Sequence, residues 1–197
     1  NDTLGKYPDS WYAATAKHLD PFPILKGAKK YDLCIVGAGY TGLSTALHLS
    51  KLGYSVAVLE AHRVGFGASG RNGGQLGAGQ RVSQDELVSY LGEKHADNLW
   101  LLAKDAVNTV KEIIKTNKID CHLKPGVATL GFNSREVNGL HQYADYLEKK
   151  YNYDGLEKLD HKVCSAICGS EKYKGGILDM NAAHPVSYTH LRAHETR

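Results

Sequence analysis

The 197-residue chain has no apolar run long enough to span a bilayer, and its first residues include no hydrophobic signal segment. A cytosolic protein without a membrane partner is the expectation. Strong charge of one sign is missing too: the net charge is +3 with ten histidines counted neutral, and Lys and Arg are scattered rather than clustered. That balance argues against a nucleic-acid partner. The four cysteines, Cys34, Cys121, Cys164 and Cys168, form no CxxC pair, and there is no internal repeat or low-complexity tract. Cys34 falls in an apolar run, where a small buried residue is the natural reading. Cys164 and Cys168, with His161 upstream, are the one arrangement that hints at a metal. Their i, i+4 spacing on a short helix accounts for them as one buried face, so no metal is expected. What remains, 42% hydrophobic and 23% charged, is an ordinary soluble globular composition with length for a sizeable core, one domain or one and a half.

Signals are densest between Tyr31 and Gln75. The apolar run Leu33-Cys34-Ile35-Val36 passes straight into Gly37-Ala38-Gly39-Tyr40-Thr41-Gly42, a GxGxxG that opens a helical pattern. Strand, tight glycine turn and helix N-terminus together suit a pyrophosphate: the glycines let the backbone approach, and the helix dipole favours negative charge. A second apolar run, Ser55 to Leu59, ends in Glu60, whose carboxylate is placed to accept from an adenosine ribose. The turn alone leaves NAD and FAD both open. The choice falls to the next segment, Arg63 to Gln75, where an NAD domain would instead continue into another βα unit. A planar flavin needs a surface made mostly of backbone, which Gly67, Ala68, Gly73 and Gly74 permit, while Ser69, Arg71 and Asn72 are able to donate to the diphosphate or ring.

Along the chain, residues 1–30 read as an extended arm whose aromatics, in Tyr7-Pro8, Trp11-Tyr12 and Pro21-Phe22-Pro23, cover apolar surface. Leu43, Ala46, Leu47 and Leu49 to Leu52 predict a helix stopped by Gly53, with His48 as a packed or surface residue. Ser55 to Glu60 then has the character of a parallel strand covered on both faces. Ser83-Gln84-Asp85-Glu86 is a capping box that starts a long amphipathic helix to about Asn117, with Gly92 as a local break. Ile119 to Leu123 and Val127 to Phe132, flanking Lys124-Pro125-Gly126, predict a hairpin that begins an antiparallel region. A helix from Ser134 to about Lys150 with Asn133 as N-cap follows, then a short helix from His161 to Ile167 ended by Gly169, and a strand from Gly176 to Met180.

The fold class expected is therefore α/β: a Rossmann-like domain at 31–118, incomplete, after an arm at 1–30, with the start of an antiparallel α+β substrate domain at 119–184. The two ends read as unnatural. The chain begins at Asn1, and residues 185–197 have no strand or helix period and the look of a translated library adapter, so the native sequence is expected to continue past about His184. A metal reading of His184, His190 and His194 is set aside on that ground.

These residues carry a family resemblance. The stretch from Asp32 to Gln75 resembles the N-terminal flavin-binding region of the D-amino-acid-oxidase or glycine-oxidase-like superfamily of FAD-dependent oxidoreductases. Gly65 to Gln75, with YPDSWYAAT and GVATLGF, is most similar to the gamma-glutamylputrescine oxidase branch, and the likeness runs over nearly all of residues 7–184. The resemblance implies FAD held at the diphosphate by Gly37, Gly39, Tyr40, Thr41 and Gly42. Glu60 would take the ribose, Ala61 and Arg63 would lie beside it, and Ser69 to Gln75 would approach the flavin. Some relatives attach the flavin through a His in this second segment, and Arg71 stands in the comparable place here, which implies non-covalent FAD. The implied reaction is oxidation of the C–N bond of a small amine or amino acid, gamma-glutamylputrescine-like, with dioxygen as acceptor. No catalytic base is named by the sequence. Family members are longer than this chain, so an inactive fragment is expected. A NAD-dependent dehydrogenase and a non-catalytic flavin-binding module are the two alternatives.

Overall fold

The computed structural model describes residues 5–15 and 20–185. The predicted tail from 186 onward, with His190 and His194, and residues 1–4 and 16–19 of the arm lie outside the described residues. The described residues divide into two compact units: residues 5–15, 20–74, 110–123 and 185 in the first, residues 75–109 and 124–184 in the second.

In the first unit the arm carries a short helix, α1 (Trp11–Thr15), where Ser10 Oγ accepts from the Ala13 N–H at 3.2 Å. The sequence reading made this stretch extended, and Trp11 was to cover apolar surface. Its ring is instead exposed, and Ala13 is the buried residue. Strand β1 (Leu33–Val36) leads through a glycine turn into α2 (Tyr40–Lys51) and returns as β2 (Val56–Leu59), parallel to β1 in the register Leu33↔Val56 to Val36↔Leu59. Helix α2 buries Leu43, Ala46 and Leu47, with Leu47 packed on Ile113 and Ile119, and Gly53 follows it at φ +90°. The sheet has only these two strands among the described residues. With α2 against it, the strands bury little: Cys34 and Val36 are exposed, and β2 is half-buried. Both the buried Cys34 and the doubly covered second strand expected from apolar character are thus corrected: among the described residues the sheet is two strands wide and leaves Cys34 and Val36 exposed.

The second unit holds α3 (Gln84–Leu91) and α4 (Glu93–Thr116) as far as Thr109, the rest of α4 belonging to the first unit, and Gly92 at φ +77° separates the two helices. Only glycine adopts that angle at little cost, so the single long helix is in fact two. The capping box forms as expected: the Ser83 N–H donates to Glu86 Oε2 at 3.1 Å. Next come β3 (Lys124–Gly131), α5 (Ser134–Tyr151), β4 (Leu156–Asp160), α6 (His161–Cys168) and β5 (Gly175–His184), with the strands in the antiparallel order β3-β5-β4. Asn133 caps α5 by accepting from the Glu136 N–H at 3.0 Å, and Asp160 caps α6 by accepting from the Val163 N–H at 2.8 Å.

The predicted hairpin does not exist. Residues 119–123 form no strand, since Lys118 and His122 sit in the left-handed region at φ 51° and 50°. Pro125 and Gly126 are no turn but part of β3, with a register shift between Pro125 and Val127 where Gly126 takes φ +94°. The partner of β3 is the distant β5, from Val127↔Asp179 to Gly131↔Gly175. Strand β4 was not foreseen, because LEKLD places only Leu159 inside. The single buried face expected for the two helical cysteines also fails: Cys164 is buried, whereas Cys168 is exposed and its thiol turns back to the Cys164 carbonyl at 2.9 Å.

An aromatic cluster forms this unit's core. Trp100, Leu147 and Tyr153 are buried together with Tyr143, Tyr146 and Tyr151 around them, and Trp100 meets Tyr153 edge-on at 5.1 Å. Gln84, only 2% exposed, is satisfied there, its amide donating to the Ala96 carbonyl at 2.7 Å and the Tyr151 hydroxyl at 3.1 Å.

Candidate functional site

The glycine turn between β1 and α2 makes three separate demands on its sequence. Gly37 has φ +100°, which excludes a side chain on strain alone. A Cβ at Gly39 would stand 2.9 Å from Ser69 Oγ, and one at Gly42 would run into the carbonyl oxygen of Gly37. The first glycine therefore makes the bend, the second leaves room above the turn, and the third lets the helix sit against the strand. Gly39 caps α2 without any side-chain hydrogen bond, so the positive end of a twelve-residue helix faces this cradle.

Two side chains from further along the chain close on the turn. Glu60, one residue past β2, accepts from the Ala38 N–H at 2.7 Å through Oε2 and from the His62 N–H at 2.9 Å through Oε1. Ser69, in a single 3-10 turn at Ala68–Gly70, accepts from the Tyr40 N–H at 3.0 Å. Backbone donors of the turn thus already hold an anionic and a hydroxyl oxygen. That chemistry fits a diphosphate and ribose: donors for the phosphates, a carboxylate at the rim for hydroxyls, and a glycine cradle that a Cβ would fill.

The rest of the second glycine segment divides into open backbone and self-bonded side chains. A Cβ at Gly67 or Gly73 would meet nothing within 4 Å, so both offer bare backbone, while Gly74 turns the chain at φ +66°. Asn72 donates to the Ser69 carbonyl at 2.8 Å and accepts from the Gly74 N–H at 2.8 Å, which holds the loop in shape. Arg71 donates from Nε to the Phe66 carbonyl at 2.9 Å, with its guanidinium 4.6 Å from the Phe66 ring centre. Arg63 lies over the Tyr7 ring at 5.1 Å. Thr41 and Ala61 are exposed beside the turn and beside Glu60, and Gln75 begins the second unit.

Gly37, Gly39, Tyr40, Gly42, Glu60 and Ser69 are thus assembled in one place. Sequence reasoning missed Tyr7, His62 and Phe66. The His62 and Phe66 rings stack at 4.2 Å with 6° between planes, and Tyr7 donates to the Val64 carbonyl at 3.1 Å. Tyr7 was visible only as one of several aromatics in the arm. No group of three or more His, Cys, Asp or Glu among the described residues is placed to hold a metal, and no described helix is long and apolar enough to cross a membrane.

The second unit has a cavity of its own, about 340 Å³, walled by Trp100, Tyr143, Tyr153, Thr129 and Asp179. Tyr153 donates to Asp179 at 2.9 Å, and burial first, then that carboxylate, holds its hydroxyl well above the usual phenol range. Asp179 Oδ1 also accepts from the backbone of Asn181 and Ala182, at 2.9 and 3.2 Å, where β5 shifts register.

Comparison with known proteins places this geometry. A family model described as DAO, FAD dependent oxidoreductase, matches residues 32–196. Over 181 residues the chain is 37% identical to the gamma-glutamylputrescine oxidoreductase of Escherichia coli (strain K12), covering 92% of this chain. It is 36% identical, over 91% of its length, to the probable oxidoreductase OrdL of Haemophilus influenzae. In both cases the chain spans 42% of the relative. Among solved structures, the glycine oxidase from Geobacillus kaustophilus superposes with a TM-score of 0.63 at 21% identity, over 83% of this chain and 43% of that one. The L-amino acid deaminase from Proteus myxofaciens gives 0.67 at 15%, over 91% and 38%. At such identities these superpositions speak for the fold alone, a glycine-oxidase-like FAD-binding fold with α/β content.

Proposed function

The chain belongs to the DAO family of FAD-dependent oxidoreductases, and from that membership we propose that it contributes the FAD-binding half of an enzyme that oxidises the C–N bond of a small amine or amino acid. The observation that carries the reading is the closure of Glu60 and Ser69 on the Gly37–Gly42 turn, at 2.7 and 3.0 Å from its backbone donors. Bound FAD would supply the redox chemistry, accepting a hydride from the carbon next to nitrogen and passing electrons to dioxygen. The chain's own residues bind and orient it. Gly39 and Thr41 offer backbone N–H groups to the diphosphate at the helix N-terminus, Tyr40 stands between them with its N–H held by Ser69, and Gly42 keeps that helix close. Glu60 accepts from the ribose hydroxyls, with Ala61 and Arg63 alongside. Gly67, Ala68, Gly73, Gly74 and Gln75 give the flavin a backbone surface, and Ser69, Arg71 and Asn72 hold that surface in shape. Arg71, packed on Phe66, offers no imidazole for a covalent link, so the FAD is non-covalent. The antiparallel unit is the start of the substrate domain, and the gamma-glutamylputrescine oxidoreductase relative favours a gamma-glutamyl amine as substrate. Because the chain spans 42% of that relative, we propose that it turns over no amine by itself.

The test is FAD titration of the 197-residue chain, followed by anaerobic addition of gamma-glutamyl amines, sarcosine, glycine and D-amino acids to the full-length gene product. Bleaching of its flavin by one of these amines is expected. A full-length protein that purifies without flavin and binds NAD instead would overturn the reading, and flavin that no amine bleaches would reduce it to a binding module.

A further inference from the structure

We propose that the N-terminal arm is part of the nucleotide site and that Tyr7 is a positioning residue for its adenosine end. The inference rests on the FAD reading above. Tyr7 spans 57 residues of sequence to donate its hydroxyl to the Val64 carbonyl at 3.1 Å, and its ring lies 5.1 Å beneath the Arg63 guanidinium. Val64 and Arg63 belong to the segment that leaves Glu60. The same arm reaches the glycine turn from its other end, where Ala13 of α1 packs in one buried cluster with Ala38 and Leu43, joined by Tyr7, Tyr40 and Val64. Ala38 is the residue whose N–H meets Glu60 at 2.7 Å and whose carbonyl accepts from the Gly65 N–H at 2.8 Å.

The arm therefore adds a further fastening to three pieces that the Glu60 and Gly65 contacts with Ala38 already join: the turn, the start of α2 and the segment after Glu60. A long arginine otherwise samples many rotamers, and each must be given up when a ligand is bound. The Tyr7 ring holds Arg63 over one face in advance, through attraction between cation and π system. Arm residues that merely covered apolar surface would need neither the hydroxyl contact nor the arginine. Trp11, the largest arm aromatic outside this arrangement, is left 77% exposed.

The test is calorimetric titration of the 197-residue chain and its Tyr7→Leu, Tyr7→Phe, Arg63→Met and Tyr7→Leu/Arg63→Met variants with FAD and, separately, with ADP. Tyr7→Leu should weaken both ligands by about twofold to fivefold, the scale of the exposed cation–π contact that it removes. Tyr7→Phe, which keeps the ring, should recover most of that, and Tyr7→Leu should add little on the Arg63→Met background because the two act as one unit. Arg63→Met keeps the arm's hydroxyl anchor, so it reports on the pair even if Tyr7→Leu folds poorly. Unchanged ADP affinity in Tyr7→Leu, or losses that add in the double variant, would overturn the inference while leaving the FAD site intact. A wild-type chain that binds neither FAD nor ADP would overturn this inference, whereas the FAD reading falls only if the full-length protein purifies without flavin and binds NAD instead.

Discussion

The two units solve the same problem of order with different materials. Around its turn the first is built from small residues and backbone donors: the cluster there is Ala13, Ala38 and Leu43, with Leu47 and Ile113 packed separately, and the turn tolerates no Cβ at Gly42. The second is built from rings: Trp100, Tyr153, Tyr143 and Tyr151 pack around Leu147, with their hydroxyls tied to Gln84, Asp97 and Asp179. Small residues bury little area and stabilise little, but they leave backbone accessible to a ligand. Large aromatics do the reverse. Stability and ligand binding are therefore expected to respond to different substitutions in the two units.

The largest effect should come from Trp100→Ala, which empties a fully buried site and should destabilise the second unit by about 3–5 kcal/mol. Urea unfolding followed by amide exchange of α5 and β5 measures it. If the exchange of β1 and α2 amides accelerated to the same extent, the contrast between units would fail. Next is Gly42→Ala, which changes one methyl. Its Cβ would strike the Gly37 carbonyl, a rigid backbone atom, so a cost of about 3 kcal/mol and loss of measurable FAD binding are expected. The same change at Gly139, where a Cβ would meet nothing within 4 Å, should be neutral or mildly stabilising.

That contrast also explains what the sequence revealed. The turn was legible because each glycine has a local reason within a few residues, and the capping box at Ser83 and the cap at Asn133 were legible for the same cause. The β3–β5 pairing was not. Its partners stand about fifty residues apart, and Lys124-Pro125-Gly126 mimics a turn locally while serving as a bulge in a strand whose mate is distant. Strand β4 carries charges on both faces, at Glu157, Lys158 and Asp160, and only one buried residue, so no pattern marked it. In the site, the nearness of Glu60 to the turn was legible from its place after the second strand, whereas Ser69, read only as a donor to a ligand, instead accepts from the Tyr40 N–H. Tyr7 was not legible, since its contact with Val64 closes a 57-residue loop that no local pattern encodes.

Raising the pH should single out the ring-built unit. Burial holds the Tyr143 hydroxyl above its ordinary range, and burial with Asp97 pushes Tyr151 up to about 12. Burial with Asp179 raises Tyr153 further. Each raised group stabilises fully below its unfolded value of about 10 and loses that contribution as pH rises through its folded value. Stability of the second unit should therefore fall progressively above about pH 10, seen as phenolate absorbance at 295 nm appearing together with loss of near-UV ellipticity. Tyr153→Phe should lose about 1 kcal/mol at neutral pH, since Asp179 keeps its backbone donors, and should lose less than wild type when made alkaline.

The smallest expected effect lies at the other end of the pH scale and in the other unit. Asp32 accepts from the Ser55 hydroxyl at 2.6 Å and the Ser55 N–H at 2.8 Å, and these bonds, the hydroxyl first, hold its carboxyl below the usual range. A lowered carboxyl stabilises fully above its unfolded value of about 3.9 and loses that contribution as pH falls through the folded one. The group is fully exposed, so water screens most of the gain and the global melt should barely move. What should move is local: in Asp32→Asn the Ser55 amide should exchange faster at neutral pH, and its exchange should no longer respond to acid as it does in wild type. The Gly37 amide, which donates to the Leu59 carbonyl at 2.7 Å at the far end of the same strand pair, should stay as it was. Faster exchange at both would mean that β1 and β2 are held together chiefly at Asp32, and that the small-residue turn contributes less order to the first unit than its geometry implies.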